Sequence, residues 1–395
     1  MLWVCCAMLI GMMGTALISP LYGIYRTEWD LLPSDITRTY VVYIFGALLG
    51  LVALGRLPDK IGYRKLLLAS IILTLLGTLL SMVAQGLTTL LVGRFLVGIA
   101  SSITTSAGLA ALHDHVPEHL RPKLPLISSL LVALGFGMGP LIGGLYGQFA
   151  SRPLFSAYLP TMVCGAIVMI GFCCTVRERF PVRARTYFNA RDLIPKLTTP
   201  EASKRLDFFL TCGSPLIAFC VFGLYAAMAP LFIEAILHLE GPLISGVSIM
   251  AILLVSALTQ VLTKQLRHQH LVQIGFVALA LSNAALMLNL YLNSAPLFVA
   301  GVALTAIGHG TSILGSMKQL NSLASPQNLS SLTSTYWVVG YCGTVLAIVV
   351  LGWLADHWGI NAAISVFGST VIALCLALMG AIHLRSKLNA KLHWL

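Results

Sequence analysis

Two titratable residues stand inside long apolar runs of this sequence. Arg94 lies in Leu91-Val-Gly-Arg-Phe-Leu-Val-Gly98, and His309 lies in Ala306-Ile-Gly-His-Gly-Thr-Ser312. A buried arginine costs several kcal/mol unless it faces a wet cavity or finds partners. It keeps its proton in proteins, so Arg94 supplies a fixed positive charge. Such a charge can bind an anion or tune a proton site, and bonds to backbone carbonyls are the plainer use. The unperturbed pKa of histidine suits His309 to carrying a proton. A neutral histidine hydrogen-bonded to a neighbouring helix explains the same residue equally well. Glu234 lies near the end of another apolar run, where facing water is the simplest reading.

A second constellation is polar. The stretch from Gly55 to Lys65 reads Gly-Arg-Leu-Pro-Asp-Lys-Ile-Gly-Tyr-Arg-Lys. Asp59 is the only acid among four bases, Arg56, Lys60, Arg64 and Lys65. A carboxylate there can cap a helix N-terminus or pair with a base. Gly55 lets a helix end close against a neighbour, and Gly62 permits a turn of positive φ. Arg56, Lys60 and Lys65 are explained well enough as bases that set topology. The run containing Arg94 ends at Asp114-His-Val-Pro-Glu-His-Leu-Arg121, again an acid followed by a base.

A third constellation is Gly135-Phe-Gly-Met-Gly-Pro-Leu-Ile-Gly-Gly144, followed by Gly147. Gly135, Gly139, Gly143 and Gly147 recur every four residues and so share a helix face. Glycine at that spacing lets another helix backbone approach closely. Pro140 removes one backbone bond and can bend the helix. A generic small-residue packing face explains the spacing alone.

The elements that must position these residues are apolar. Hydrophobic residues make up 58% of the chain and charged residues 9%, against about 25% charged in soluble domains. A soluble protein of 395 residues could not cover such a surface with polar groups, so its solvent must be lipid. A spanning helix needs about 20 apolar residues. Twelve segments qualify: 2–25, 36–54, 66–84, 88–112, 124–149, 155–176, 208–237, 243–262, 271–291, 295–317, 329–354 and 360–384. The expected fold is an all-α integral membrane protein of twelve transmembrane helices in two six-helix halves. The halves are 1–176 and 207–384, with a basic linker over 177–206 and a tail over 385–395. The linker carries eight bases and three prolines, and a short amphipathic helix is expected around 190–197. The first apolar run lacks a basic leader and continues for a full span, so it is expected to be the first helix.

Bases set the orientation. With the N-terminus in the cytoplasm, 20 of the 24 Lys and Arg fall on the cytoplasmic side, and only Arg26, Arg38, Arg94 and Arg152 lie elsewhere. The excess of bases is therefore topological and does not point to nucleic acid. The nine cysteines lie in apolar runs, without CxxC spacing or nearby histidine clusters, which argues against metal and disulfide roles. The loop at 262–270, equivalent to 55–65, keeps Lys264, Arg267 and His268 but not the Gly-Asp-Gly frame. Aromatic residues recur along four spans: Tyr22 and Tyr25; Tyr40 and Tyr43; Phe222 and Tyr225; Trp337 and Tyr341. Singly, each is explained by lipid contact or packing. Around a central cavity they would form a stacking surface.

Several of these strings resemble those of one family. The 55–65 stretch resembles the signature loop between the second and third helices of the major facilitator superfamily, Gly-x-Leu-x-Asp-Arg/Lys-x-Gly-x-Arg-Arg/Lys. Tyr63 departs mildly, at a position often basic there. The 135–144 string resembles the antiporter motif of that superfamily's exporters, particularly the twelve-span drug/proton antiporters. There it seals the contact between halves when the cavity faces outward. The 91–98 string resembles the fourth-span motif whose arginine is implicated in proton transfer. The resemblance implies a cytoplasmic latch of Gly55, Asp59, Gly62, Arg64, Asp114 and Arg121. It also implies an antiporter motif of Gly135, Gly139, Pro140, Gly143 and Gly144, and a proton-coupling role for Arg94. Its span pattern covers nearly the whole chain, whereas the antiporter likeness rests on 91–98 and 135–144 alone.

The expected function is secondary active transport by alternating access, in a proton-coupled exporter of small amphiphilic or drug-like molecules. Proton coupling is assigned to Arg94 and His309. Substrate contact is assigned to Tyr25, Arg38, Tyr43, Arg94, Tyr225, His309, Trp337 and Tyr341. The first span carries no acid, whereas exporters of cationic drugs often bury one. Arg94, with Arg38 nearer the outside, would favour an anion such as a carboxylate metabolite or siderophore, and that is the alternative. No Gly-rich phosphate cradle is present, so ATP is not the expected energy source and no cofactor is expected. A membrane-embedded enzyme would need acids, histidines or a nucleophile clustered at one depth, and these spans are nearly free of acids. The expected partners are a small-molecule substrate, protons and the bilayer. The chain is expected to act as a monomer in a bacterial inner membrane, with both termini cytoplasmic.

Overall fold

The structure, a computed structural model, describes residues 1–54, 61–177, 197–237, 241–325 and 328–392. Its regular elements are all helices. Six are α1 (Leu2–Trp29), α2 (Pro33–Leu54), α3 (Tyr63–Met82), α4 (Leu87–His115), α5 (Leu124–Phe149) and α6 (Pro153–Thr175). Four more are α7 (Arg205–Leu237), α8 (Pro242–Leu262), α9 (His268–Leu292) and α10 (Ala295–Leu323). The last helical stretch, Leu329–Leu392, breaks at Gly359, where φ is 82° and ψ 164°. It is therefore two helices, α11 (329–358) and α12 (360–392), which brings the spans to twelve.

Local chemistry explains where the helices stop. Asp30 takes a left-handed conformation after α1, and Pro33 opens α2. The Asp35 carboxylate accepts the Leu32 N–H at 3.2 Å, satisfying a donor that the helix start would otherwise leave open. Gly62, with φ of 90°, precedes α3. Asn293 ends α9 in the left-handed region, and the Asn289 side chain accepts the Ser294 N–H at 2.7 Å. Polar ends remain helical further than hydropathy implies: α11 runs on through Asp356 and His357 until the glycine turns it.

The first span is not continuous. An α-helix over Leu2–Ala16 gives way to a 3-10 turn over Ser19–Leu21 and resumes at Tyr22. Pro20 accounts for this. It has no N–H to offer the Ala16 carbonyl, and its ring crowds that position.

Contacts divide the chain into two compact units. One comprises Met1–Lys196, Ala226–Ile233 and Leu239–Leu253; the other comprises Leu197–Tyr225, Glu234–His238 and Leu254–Leu395. The first unit contains α1 to α6 with short stretches of α7 and α8. In it α4 is gripped on two faces at backbone distance. A Cβ on Gly77 would lie 2.6 Å from the Gly93 carbonyl, and one on Gly46 would lie 2.3 Å from the Phe95 carbonyl. Val4, Met8, Leu67, Ile71, Ala107 and Phe172 belong to the buried core between α1, α3, α4 and α6. In the second unit α9 and α10 meet as closely, with Gly275 against Ser312. There α11 lays Gly340 and Gly343 on Pro215 and Leu216 of α7.

Candidate functional site

In the first unit the centre is Arg94, 2% exposed. Its guanidinium donates to the Gly14 carbonyl at 3.1 Å and also to the Thr15 carbonyl. These carbonyls sit where α1 loses its regular ladder before Pro20, so the break and the arginine answer each other. The Tyr43 ring lies under the guanidinium, 5.0 Å from centroid to Cζ, a cation–π contact. The fully buried Tyr22 lies beside it, and Arg94 Nε closes no hydrogen bond among the described residues. Among those residues, a fixed charge at mid-helix is thus held by carbonyls and a ring rather than by a carboxylate.

The glycine string on α5 uses both of its faces. A Cβ on Gly135, Gly139 or Gly143 would meet the carbonyls of Leu9, Met13 and Leu17 at 2.7, 2.1 and 2.0 Å. From Gly135 to Gly143 the every-four face therefore lies on the α1 backbone, and Gly147 continues it against the side chains of Pro242 and Leu21. The other face meets α8: Gly144 lies against Pro242 and Leu243, and Gly246 lies against the Pro140 carbonyl. So α5 runs between α1 and the start of α8 with almost no side chain intervening.

At the opposite end of α4, the Tyr63 hydroxyl donates to the Asp114 carboxylate, which is 7% exposed. It also reaches the Arg177 carbonyl at 3.4 Å. Arg64 donates to the carbonyls of Val176 at 2.7 Å and Cys173 at 3.2 Å, closing the end of α6. Gly62, Tyr63, Arg64 and Asp114 are thereby brought to one end of the unit. Gly55, Asp59 and the Arg121 side chain lie outside the described residues.

Two expected substrate contacts fall elsewhere in this unit. Tyr25 is 1% exposed and hydrogen-bonds the Tyr158 hydroxyl at 3.0 Å and the Ser81 carbonyl at 3.4 Å. It packs in a core with Leu21 and Ile36. Arg38 is 58% exposed and pairs with Asp35 at 3.3 Å in the first turns of α2.

The second unit gathers aromatic rings around His309. Phe219 stacks on Trp337 with centroids 5.5 Å apart and planes 7° apart, and on His309 at 6.1 Å and 23°. Tyr341 lies 5.2 Å from the same ring, and Phe222 lies 5.9 Å from His309. Ser256 Oγ is 2.8 Å from His309 Nδ1. His309, Trp337 and Tyr341 are thus one cluster, assembled by Phe219. Tyr225 is separate, 2% exposed with its hydroxyl against Gly301 and Thr305 of α10.

Sequence reasoning missed Pro20, Phe219 and Ser256. Pro20 was legible as a proline in the middle of an apolar run, and Phe219 as a ring one turn before Phe222. Nothing local marks Ser256.

The chain belongs to the Major Facilitator Superfamily, whose family model matches residues 4–327. These are transporters, not enzymes. MdtD of Escherichia fergusonii, whose name marks it as a candidate multidrug resistance protein, is 28% identical over 139 residues, 35% of this chain and 30% of that one. Quinolone resistance protein NorA of Staphylococcus aureus is 22% identical over 187 residues, 47% of each chain. The match thus spans less than half the length of these relatives. Among solved structures, a point mutant of the nucleoside transporter NupG superposes with a TM-score of 0.76 at 12% identity, over 96% of this chain and 98% of that one. That likeness is one of fold.

Proposed function

We propose that this secondary transporter is a proton-coupled exporter of small amphiphilic molecules, working by alternating access. The observation that carries the reading is α5 running at backbone distance between α1 and α8 through Gly135, Gly139, Gly143, Pro140 and Gly144. Helices that meet without side chains can seal tightly and part cleanly. The drug-resistance names of MdtD and NorA lean the same way. Arg94, locked to the broken first helix, and His309 are the proposed coupling groups. Gly62, Arg64 and Asp114 would form the cytoplasmic latch with Gly55, Asp59 and Arg121. The two halves are taken as 1–176 and 207–384, in a monomer of the bacterial inner membrane with both termini cytoplasmic.

A second reading, transport of an anionic metabolite or siderophore, is favoured by one observation. Among the described residues, the Arg94 cation has carbonyl and ring partners but no carboxylate on it, so a substrate anion could supply the opposite charge. Flux into and out of vesicles with an imposed pH gradient separates the two, across cationic, neutral and anionic compounds. Export of neutral or cationic amphiphiles that reverses with the gradient is the expected result. Gradient-independent flux, or flux of anions alone, would overturn it. Counterflow measured beside gradient-driven flux tests coupling. His309→Gln should keep exchange and lose the driven component.

A further inference from the structure

His309 sits near the middle of α10 yet is only partly buried, as are Phe219, Trp337 and Tyr341. Other rings of this unit, such as Tyr225 and Tyr336, are sealed in its packing at 2% and 0% exposure. A histidine left open at mid-membrane depth is costly against lipid. The open side of the cluster therefore faces something other than hydrocarbon, namely water or a bound molecule. Ser256 occupies His309 Nδ1, which leaves Nε2 as the nitrogen for an outside partner. Phe219 and Trp337 lie within 7° of parallel, so together they offer one common plane direction. At 5.5 Å their centroids are too close for a ring to enter between them, so a ligand would extend the stack rather than split it.

We propose that Phe219, Trp337, Tyr341 and His309 form a substrate subsite that selects a flat aromatic ring bearing a hydroxyl or ring heteroatom. The ring lies parallel to Phe219 and Trp337, and the heteroatom bonds His309 Nε2. The substrate role rests on the transport reading above; the binding claim does not. Selection is for flatness, because a saturated skeleton of the same polarity has no π face of its own and forgoes the gain of offset stacking. The heteroatom fixes which edge of the ring points to α10.

The test is binding to the full chain in lipid nanodiscs by equilibrium dialysis, with empty nanodiscs subtracted. The probes are 2-naphthol and decahydro-2-naphthol, which share a skeleton and a hydroxyl; naphthalene against decalin, which lack the hydroxyl, controls for the greater acidity of the naphthol. 2-Naphthol should bind at least about tenfold more tightly than decahydro-2-naphthol. Phe219→Leu, which nearly keeps side-chain volume, should weaken 2-naphthol about tenfold. Trp337→Phe, which keeps a flat ring, should weaken it less. His309→Leu should weaken 2-naphthol while leaving naphthalene unchanged. Equal affinity of the two probes for the wild type would overturn the proposal without any variant. Undiminished 2-naphthol binding by a folded Phe219→Leu would do so as well. Since no gradient is applied, a failure of proton-driven export leaves these readings intact, and the reverse also holds.

Discussion

Gly139→Ala tests the packing of α5 most directly. The added methyl carbon would lie 2.1 Å from the Met13 carbonyl oxygen, about 1.3 Å short of the 3.4 Å at which ordinary contact begins. The Leu17 nitrogen, at 3.1 Å, blocks retreat along α1. Both obstacles are backbone, so no side chain can swing away and the helices must separate. Overpacking of this kind costs about 1–3 kcal/mol. Replacing a helical glycine with alanine returns about 1 kcal/mol of helix propensity. Gly137→Ala is the internal control. It has the same propensity gain, but its nearest neighbour is the Met250 side chain at 3.4 Å. The two variants should therefore differ by about 1–3 kcal/mol, with Gly139→Ala the less stable. Unfolding of the purified proteins in micelles measures the difference. Cysteine accessibility at both membrane faces reports whether Gly139→Ala and the bulkier Gly139→Leu also lose one conformational state. Equal stability of Gly139→Ala and Gly137→Ala, with transport intact in both, would refute the close contact of α5 with α1.

Three further outcomes follow from the first unit. Tyr63→Phe removes a hydrogen bond to the buried Asp114 carboxylate and should cost about 1.5–3 kcal/mol in the same unfolding assay; a loss below about 0.5 kcal/mol would mean the bond is not made. Arg94→Lys keeps the charge but cannot fork onto the Gly14 and Thr15 carbonyls. Gradient-driven flux should fall more than about tenfold, the equivalent of about 1.4 kcal/mol, with substrate exchange partly retained. Arg38→Ala removes an exposed pair with Asp35, so stability should fall by less than about 1 kcal/mol and flux should stay within about twofold. A larger loss of flux would place Arg38 in the substrate path.

The span count was readable because lipid imposes one requirement, length in apolar residues, that composition satisfies or does not. Gly62 was readable for a similar reason, since few residues other than glycine accept a φ of 90°. The glycine row on α5 declared its spacing but not its partners. That α1 lies on one face and α8 on the other depends on contacts between residues far apart in the chain, as between Gly144 and Pro242. Hydropathy concealed the interruption at Pro20, because a broken helix and an intact one carry the same apolar side chains. The charged residues around 55–65 drew attention to ion pairs; among the described residues the buried Asp114 also accepts a hydrogen bond from Tyr63, the one position that departs from the family pattern. The aromatic cluster was half legible. His309, Trp337 and Tyr341 stood out as unusual, but the ring that joins them, Phe219, looked like ordinary apolar filling.

The turn between α8 and α9 is fastened by its main chain. Lys318, on α10, donates its ammonium to the main-chain carbonyls of Lys264 at 2.6 Å and Leu266 at 2.9 Å. A carbonyl is present whatever residue carries it. A turn gripped by its main chain can exchange side chains without losing its anchor. Mutational drift should therefore be cheap over 262–267 as long as position 318 keeps its amine. The missing Gly-Asp-Gly frame in this half is the kind of record such freedom would leave.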